Sequence, residues 1–280
     1  MRSFSKPRKR PRFSFFKFVV RTAAGITAAA VLFLVTYILV KGIPHLSPGL
    51  FAWVYTSVNA SLLPALINTL IVVLLTLLLS VPIGIFSAIW LNEYAKRGNR
   101  LVMAVRLAAE TLSGIPSIVY GLFGMLMFVV YLNWGFSLLA GVFTLAIMVL
   151  PLIMRTAEEA LKSVPASYRE GSFALGAGKV RTVFAIILPA ATRGILAGVV
   201  LAIGRIVGES AALIFTAGTV AATPTGLFSS VRTLAVHMYN LSSEGLYVNQ
   251  AYATAVFLLA VVIGLNTLSG WIAKKISGGT

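Results

Sequence analysis

The sequence predicts an all-α integral membrane protein with six transmembrane helices and both termini in the cytoplasm. Hydrophobic residues make up 59% of the 280-residue chain and charged residues only 11%, which is far more apolar than an average soluble domain. Six apolar runs are each long enough to span the hydrocarbon core of a bilayer, which takes about 20 helical residues. The basic residues fall between these runs in an asymmetric pattern, which predicts the orientation.

The six predicted helices divide the chain into a tail, a first helix with its loop, and a core. The predicted helices are 18–40, 62–90, 107–132, 136–154, 183–214 and 251–273. We expect the following segments in order: a basic tail at 1–17, the first helix with an outer loop at 18–61, a core of five helices at 62–275 that includes a cytoplasmic loop at 155–182, and a short tail at 276–280.

The basic residues assign one face of the membrane. Eight precede or begin the first run, four lie in 92–106, five lie in 155–182 and two follow the last run, so that nineteen of the 23 share one side. Because basic segments stay in the cytoplasm during insertion, we place these segments inside. This placement accounts for the net charge of +16. No aromatic platform interleaves with the basic residues, so membrane lipid and not nucleic acid is the expected surroundings.

Several chemistries are missing from the chain. There is no cysteine and no aspartate, and the two histidines are isolated, so no metal site is predicted. The pattern GxxxxGK[ST] for nucleotide phosphates does not occur, the seven glutamates are scattered, and no nucleophile, base and orienting group stand together. We therefore predict a chain that is not an enzyme and binds no cofactor, and any energy input must come from elsewhere.

The third run is interrupted by small and polar residues. Ser113, Gly114, Pro116 and Ser117 stand inside an otherwise apolar segment, and a proline removes a backbone donor and disfavours helix at the preceding residue. We expect a kink here. Broken helix in a membrane is tolerated where protein covers it or where it lines a wet cavity. The kink could therefore line a pathway and offer a helix N-terminus to an anion, or it could serve packing alone.

The loop at 155–182 contains a short predicted helix with one small-residue face. At 100° per residue, Tyr168, Gly171, Ser172, Leu175 and Gly176 fall within an arc of about 140°. Small residues permit close approach, so a groove of another protein could receive this helix, with the tyrosine and leucine as apolar contacts. The alternative is a solvated connector between membrane helices.

Two ionisable residues of the fifth run lie four apart, Arg205 and Glu209, and Ser210 follows them. Residues four apart share one face of a helix, and charges at this depth usually face a bundle interior or water. An arginine suits a tetrahedral oxyanion because its planar guanidinium donates two hydrogen bonds and stays charged. We expect Arg205, Glu209, Ser210, Ser113 and Ser117 to line a substrate pathway. The alternative for the charged pair is a salt bridge that fixes helix packing.

Residues 215–250 form the longest outer segment. Its residues 231–241 are predicted to form a short interfacial helix. The segment could receive a partner on the outer face, or it could be a loop without a specific role.

Three stretches carry a resemblance to a known family. They are LSGIPSIVYGLF at 112–123, REGSFALGAGKVRTVFAIILPAA at 169–191 and GRIVGESAALIFTAGT at 204–219. Together they resemble the PstA-type permease subunit of bacterial phosphate ABC importers, over about 62–275. The middle stretch resembles the EAA loop of importer permeases, although Glu170, Gly171 and Ser172 replace Glu-Ala-Ala. This change preserves small size, so we expect the loop to keep its role.

The resemblance implies a type I ABC importer permease in the bacterial plasma (inner) membrane. It implies a homologous permease subunit as partner, two ATPase subunits that bind ATP and Mg, and an extracytoplasmic phosphate-binding protein. Tyr168, Glu170, Gly171, Ser172, Leu175 and Gly176 would couple to the ATPase. Two alternatives stay open. One is an ABC permease for another oxyanion, sulfate or molybdate. The other is a secondary transporter driven by an ion gradient, although no clear inverted repeat is visible.

Overall fold

The computed structural model describes residues 12–277 apart from 97, 244 and 246, and these residues form helices and loops without a β-strand. Residues 1–11 of the predicted basic tail, residues 278–280 and Arg97 lie outside the described residues. Numbered in chain order, the α-helices are α1 Arg12–Gly42, α2 Leu63–Ile89, α3 Arg100–Ser113, α4 Ser117–Gly124, α5 Leu138–Ser163, α6 Ala166–Ala174, α7 Lys179–Thr182, α8 Leu188–Val207, α9 Ala211–Ile214, α10 Leu234–Ser243 and α11 Val248–Ser277.

Short segments of other helix types extend or join these helices. Single π-helical stretches continue α2 through Trp90–Tyr94 and α4 through Met125–Tyr131, and a third at Val183–Ile187 joins α7 to α8. Two 3₁₀ turns, Ile43–His45 and Pro48–Phe51, follow α1. The chain from the start of α7 to the end of α8 is therefore one continuous helical segment, Lys179–Val207.

Five helical spans within the described residues are long and apolar enough to cross a membrane, and the bent pair of α3 and α4 would make a sixth. These observations confirm the prediction of an all-α membrane protein. Each predicted run of about 20 apolar residues corresponds to one of these helices or to the bent pair, since in lipid every backbone polar group must be satisfied within the segment.

The break in the third run is larger than the predicted kink. The helix does not run through 107–132; α3 begins at Arg100, and α4 leaves α3 at an angle of 105°. Pro116 takes the extended conformation (φ −59°, ψ 142°). The Gly114 and Ile115 amides donate to the Thr111 and Leu112 carbonyls in a tightened last turn. Since proline supplies no amide and excludes helix at the residue before it, the chain restarts a helix in a new direction.

Two more predicted boundaries differ from the structure. The fourth run, predicted at 136–154, begins at Leu138 and continues as helix to Ser163, because backbone hydrogen bonding in a helix does not require apolar side chains. The fifth run, predicted at 183–214, ends at Val207, and the short helix α9 follows separately. The Gly208 amide bonds the Gly204 carbonyl and closes α8 there.

Small residues bring the central helices α2, α5 and α8 together. A Cβ atom added to Gly84 of α2 would lie 2.8 Å from the Ile153 side chain of α5, and one added to Gly194 of α8 would lie 2.6 Å from Ala160. Lipid removes the hydrophobic driving force between membrane helices, so such close van der Waals contacts supply the packing energy. Helix α5 lies at the centre. Of the residues in its apolar membrane-spanning stretch 67% are buried, whereas 0% are buried in the equivalent stretch of α1.

The predicted short helix of the outer segment is present as α10, three residues later than the predicted start. It packs through Leu234 against Leu62 and Leu50, which precede α2. The amide of Leu234 also donates to the Thr69 hydroxyl of α2, at 2.8 Å. The segment between α9 and α11 is therefore fixed to the end of the bundle opposite α6.

Candidate functional site

The helix α6 is delimited by two backbone features. Pro165, in the extended conformation, precedes its first residue. At its other end Gly176 has φ +79°, its amide donates to the Phe173 carbonyl at 2.9 Å, and the Ala177 amide donates to the Ser172 carbonyl at 3.1 Å. This pair of bonds is the Schellman motif, whose left-handed position favours glycine. Leu175 and Gly176 therefore lie beyond the end of the helix, and the predicted arc of five residues is wrong for these two.

A tyrosine, a leucine, a glycine and a carboxylate are exposed on α6 and in the turn that follows it. Tyr168 is 51% and Leu175 90% exposed. Glu170 is also exposed, and no atom lies within 4 Å of a Cβ added to Gly171. We call Tyr168, Glu170, Gly171 and Leu175 the α6 surface. It is exposed and combines apolar and small residues, as expected for a segment that enters the groove of another protein.

Ser172 does not belong to this surface, which corrects the prediction that grouped it with the outward residues. It is only 5% exposed, and its hydroxyl lies 2.8 Å from the Thr182 hydroxyl of α7. Since α6 ends before the turn at Gly176, the chain folds back and α7 covers this face. Ser172 therefore holds α6 against α7.

Arg169 of α6 makes a set of bonds that sequence reasoning missed. Its Nη2 lies 2.6 Å from Glu93 Oε1, at the π-helical end of α2. Its Nε donates to both Glu93 oxygens, at 3.2 and 3.3 Å. Nη1 and Nη2 also donate to the carbonyls of Val164 and Leu161, each at 3.0 Å. Glu93 and Arg169 are 76 residues apart, so no spacing rule within one helix could pair them.

A second charged cluster joins α3 to α5 at the same end of the bundle. Glu158 is 4% exposed, and its Oε1 lies 2.6 Å from Arg106 Nη2 and 2.7 Å from Lys162 Nζ. A cavity of about 190 Å³ opens beside it, lined by acidic and basic residues of both helices. Two cations on one nearly buried carboxylate satisfy its charge, so this cluster fixes α3 against α5.

Arg205 and Glu209 do not share a helix face, which corrects the sequence prediction. Helix α8 ends at Val207, two residues before Glu209. Glu209 is 8% exposed, and its Oε1 accepts a hydrogen bond of 3.1 Å from the Ala212 amide in the first turn of α9. No ion pair joins the two residues, which both lie in the described part of the chain. Arg205 stays in the last turn of α8, where the helix dipole favours a positive charge.

The break between α3 and α4 faces the break between α8 and α9. A Cβ added to Gly121 of α4 would lie 2.8 Å from the Ala212 Cα of α9. The Tyr120 hydroxyl donates to the Leu112 carbonyl across the 105° bend, at 2.8 Å, and interacts electrostatically with Arg205. The two interruptions that the sequence singled out separately are therefore neighbours, and Arg205 lies beside both.

The three predicted pathway serines are placed differently from one another. Ser113 ends α3 and donates its hydroxyl to the Ala109 carbonyl at 2.7 Å, while Ser117 begins α4. Both flank the bend close to Tyr120. Ser210 instead lines a cavity of about 330 Å³ with residues of α1, α10 and α11. Arg205 is not among the residues that line this cavity.

No group of three or more metal-binding side chains occurs among residues 12–277 outside positions 97, 244 and 246. His237 of α10 is fully buried, with its ring edge-on to Tyr55 at 5.9 Å between centroids. Arg232 lies over the same tyrosine ring, 5.3 Å from its centre. Burial, together with the charge of Arg232, lowers the pKa of His237 to about 4. This histidine is thus neutral in the folded protein and joins the loops at the end opposite α6.

Comparison with known proteins identifies the class to which these features belong. Residues 80–278 match the family described as the binding-protein-dependent transport system inner membrane component. Over 275 residues the chain is 33% identical to the probable ABC transporter permease protein YqgI of Bacillus subtilis, covering 90% of this chain and 92% of that protein.

Phosphate permeases and solved importers are also similar. The phosphate transport system permease proteins PstA 2 of Mycobacterium tuberculosis and PstA of Yersinia pestis are 37% and 38% identical, each over 69% of this chain and 66% of the relative. A bacterial alginate ABC transporter has a TM-score of 0.64 at 17% identity, covering 95% of this chain and 98% of that chain. The inward-facing MetNI methionine ABC transporter has a TM-score of 0.59 at 18% identity, covering 76% and 93%.

The chain belongs to the family of binding-protein-dependent transport system inner membrane components. It is an ABC importer permease with the type I fold and a multi-pass protein of the inner membrane. The resemblance to PstA-type permeases noted from three sequence stretches is confirmed. ABC importer permeases work with a partner permease, ATPases and a binding protein, and the α6 surface and the paired helix breaks are this chain's two candidate sites.

Proposed function

We propose that this chain is a permease subunit of an ATP-driven phosphate importer and forms half of its translocation pathway. The observation that carries the proposal is the 37–38% identity to phosphate permeases of the PstA type over 69% of the chain. A basic residue beside two helix breaks agrees with an anionic substrate. Arg205 contacts the passing phosphate through its guanidinium, which stays charged and offers paired donors to phosphate oxygens.

Glu209 acts on this pathway indirectly. In the structure its carboxylate accepts from the Ala212 amide, and α9 packs against α4 at Gly121. Glu209 therefore fixes the position of α9, and through α9 the bend next to Arg205. Ser113 and Ser117 flank the bend and supply hydroxyls to the pathway, whereas Ser210 belongs to the neighbouring cavity.

The α6 surface is the proposed site of contact with an ATPase subunit. Both termini and α6 lie in the cytoplasm in this proposal, because nineteen of the 23 basic residues fall on that side. A homologous permease subunit completes the pathway, and two ATPase subunits bind ATP and Mg. An extracytoplasmic phosphate-binding protein delivers substrate to the end that carries α10. ATP binding closes the ATPase pair, α6 moves with it, and the two bundles alternate between outward and inward access.

The experiment starts with the intact complex. Tagged protein is purified in mild detergent, its stoichiometric partners are identified by mass spectrometry, and the complex is reconstituted in liposomes with its binding protein. We expect a second permease, an ATPase and ATP-dependent uptake of phosphate that excess sulfate or molybdate does not compete away. If sulfate or molybdate competed with phosphate for uptake, that oxyanion and not phosphate would be the proposed substrate. Purification without an ATPase would refute the importer mechanism for this chain and favour an ion-driven carrier.

The variant Arg205→Ala tests the pathway residue within the same assay. We expect near-complete loss of phosphate uptake while the complex still assembles, because a phosphate without its arginine loses a charge-assisted pair of hydrogen bonds, about 3 kcal/mol or more than a hundredfold. Arg181→Ala is the matched control, since Arg181 is an exposed arginine of α7. Uptake unchanged by Arg205→Ala would remove Arg205 from the pathway.

A further inference from the structure

The helix α6 is held to the bundle mainly by polar bonds. Ser172 is its single buried residue, so apolar packing does not fix its position. The partners of α6 are few: Ser172 bonds Thr182 of α7, and Arg169 bonds the ends of α2 and α5. A helix attached in this way can move as a unit, and its attachment points decide which helices move with it.

Arg169 is bonded firmly at both of its targets. The Leu161 and Val164 carbonyls lie at the C-terminal end of α5, where the last carbonyls of a helix lack partners and the helix dipole is negative. The carboxylate of Glu93 accepts from the Nε and Nη2 edge of the guanidinium, and the side-chain amide of Asn92 donates to Glu93 Oε1 at 2.7 Å. The Arg169 and Glu93 side chains are only 22% and 9% exposed. A lysine could not reproduce this fork of donors.

The two helices that Arg169 joins form the centre of the bundle. Helices α2 and α5 pack closely at Gly84 and Ile153. A second contact links the end of α2 to the chain after α6, since Lys179 Nζ lies 4.8 Å above the Tyr94 ring. A displacement of α6 therefore reaches α2 through Glu93 and α5 through its terminal carbonyls. The displacement therefore has a route through side chains, in addition to the backbone link from α5 to α6 through Val164 and Pro165.

We propose that Arg169 and Glu93 are positioning residues that transmit the movement of α6 to α2 and α5 during transport. The ion pair is the connection between the ATPase contact and the membrane helices. This proposal rests on the proposed function, because it assigns a task to the pair only if an ATPase subunit moves α6. It adds two residues, neither of them on the α6 surface, to those that coupling requires.

The variants Glu93→Gln and Arg169→Lys test this role in the reconstituted complex. Glu93→Gln keeps the size of the side chain and removes the charge, and Arg169→Lys keeps the charge and removes the fork. We expect each variant to assemble with its ATPase and to hydrolyse ATP at the wild-type basal rate, but to take up about tenfold less phosphate per ATP hydrolysed. Glu159→Gln and Arg181→Lys are matched controls at exposed positions, and we expect them to behave as wild type.

The ratio of uptake to hydrolysis separates transmission from a purely structural role. A wild-type ratio in Glu93→Gln would overturn the proposal, and so would loss of the ATPase subunit from that variant, since the pair would then serve assembly. A wild-type complex that hydrolyses ATP without importing phosphate, or that lacks an ATPase, would instead refute the proposed function, and this inference would be refuted with it.

A cross-link provides a test that does not depend on the charges. The chain has no cysteine, so the double variant Glu93→Cys with Arg169→Cys offers a single thiol pair. We expect low uptake per ATP before treatment and recovery of several fold after a short bifunctional thiol reagent rejoins α6 to α2. Each single-cysteine variant should not recover. Failure of the cross-linked double variant to recover would overturn the mechanical role.

Discussion

A substitution of Gly121 would separate the two helix breaks that surround Arg205. A Cβ atom at this position lies 2.8 Å from the Ala212 Cα and 3.2 Å from the Ala211 carbonyl oxygen. Both neighbours are backbone atoms, which cannot rotate away as a side chain could. Gly121→Ala must therefore shift α9 away from α4 by several tenths of an ångström.

The expected magnitude follows from two opposing effects. Inserting a methyl group into a packed contact costs about 1–3 kcal/mol, while replacing a helical glycine by alanine stabilises a helix by about 1 kcal/mol. Gly264 of α11 supplies the matched control, since it lies inside a helix and nothing is within 4 Å of its added Cβ. Gly264→Ala gains the helical stabilisation without the clash. The two variants should therefore differ by about 1–3 kcal/mol, with Gly121→Ala the less stable.

The assay compares apparent melting temperatures of the two purified variants in the same detergent at the same heating rate, because membrane protein unfolding is usually irreversible. We expect Gly121→Ala to melt several degrees below Gly264→Ala. Phosphate uptake should fall in Gly121→Ala alone, because α9 and the bend next to Arg205 no longer fit. Equal melting temperatures in the two variants would show that α4 and α9 do not pack at this distance, and the reasoning on the paired breaks would be wrong.

Two further predictions concern the two ends of the bundle. The pKa of His237 is lowered from 6.5 to about 4 in the folded protein, so this histidine takes up a proton in the unfolded chain at a higher pH than in the folded one. The free energy of unfolding therefore falls as the pH drops from about 6.5 towards 4, by about 3 kcal/mol over the whole range. His237→Gln should flatten this loss in melting curves recorded between pH 7.5 and 4.5, and an identical pH profile would contradict it. At the other end, Gly176→Val should cost about 1–2 kcal/mol for the left-handed backbone, loosen α6 and reduce copurification of the ATPase. Gly176→Asn should stay close to wild type, and equal ATPase recovery with valine and asparagine would refute the role of this turn.

The membrane class and the helical segments follow from local properties of the sequence. A run of about 20 apolar residues must form a helix in lipid, because no water is present to satisfy its backbone. This argument predicted each spanning segment from composition alone. The break at Pro116 was also predictable, since the missing amide acts within the chain. Its angle was not, because the direction of α4 is set by its contacts with α9, as at Gly121.

The same distinction applies to the candidate sites. Tyr168 and Gly171 could be assigned to one side of the predicted helix from their spacing, and both are exposed in the structure. Glu170 was assigned to the ATPase contact only through the family resemblance. The pairing of Arg205 with Glu209 failed because the helix ends at Val207, and a spacing of four residues has meaning only inside a continuous helix. Ser172 was misplaced because the sequence does not tell which side of α6 will be covered by α7.

The sequence by itself determined the class of protein, the spans and the residues that carry charge within or near them. Only the tertiary structure decided that Arg169 of α6 bonds Glu93, 76 residues away, and that two separate helix breaks meet beside Arg205. The physical reason is the range of the interactions. Hydrophobicity and backbone hydrogen bonding act between near neighbours in the chain. Ion pairs and close glycine contacts join helices whose relative positions are fixed only when the whole bundle has packed.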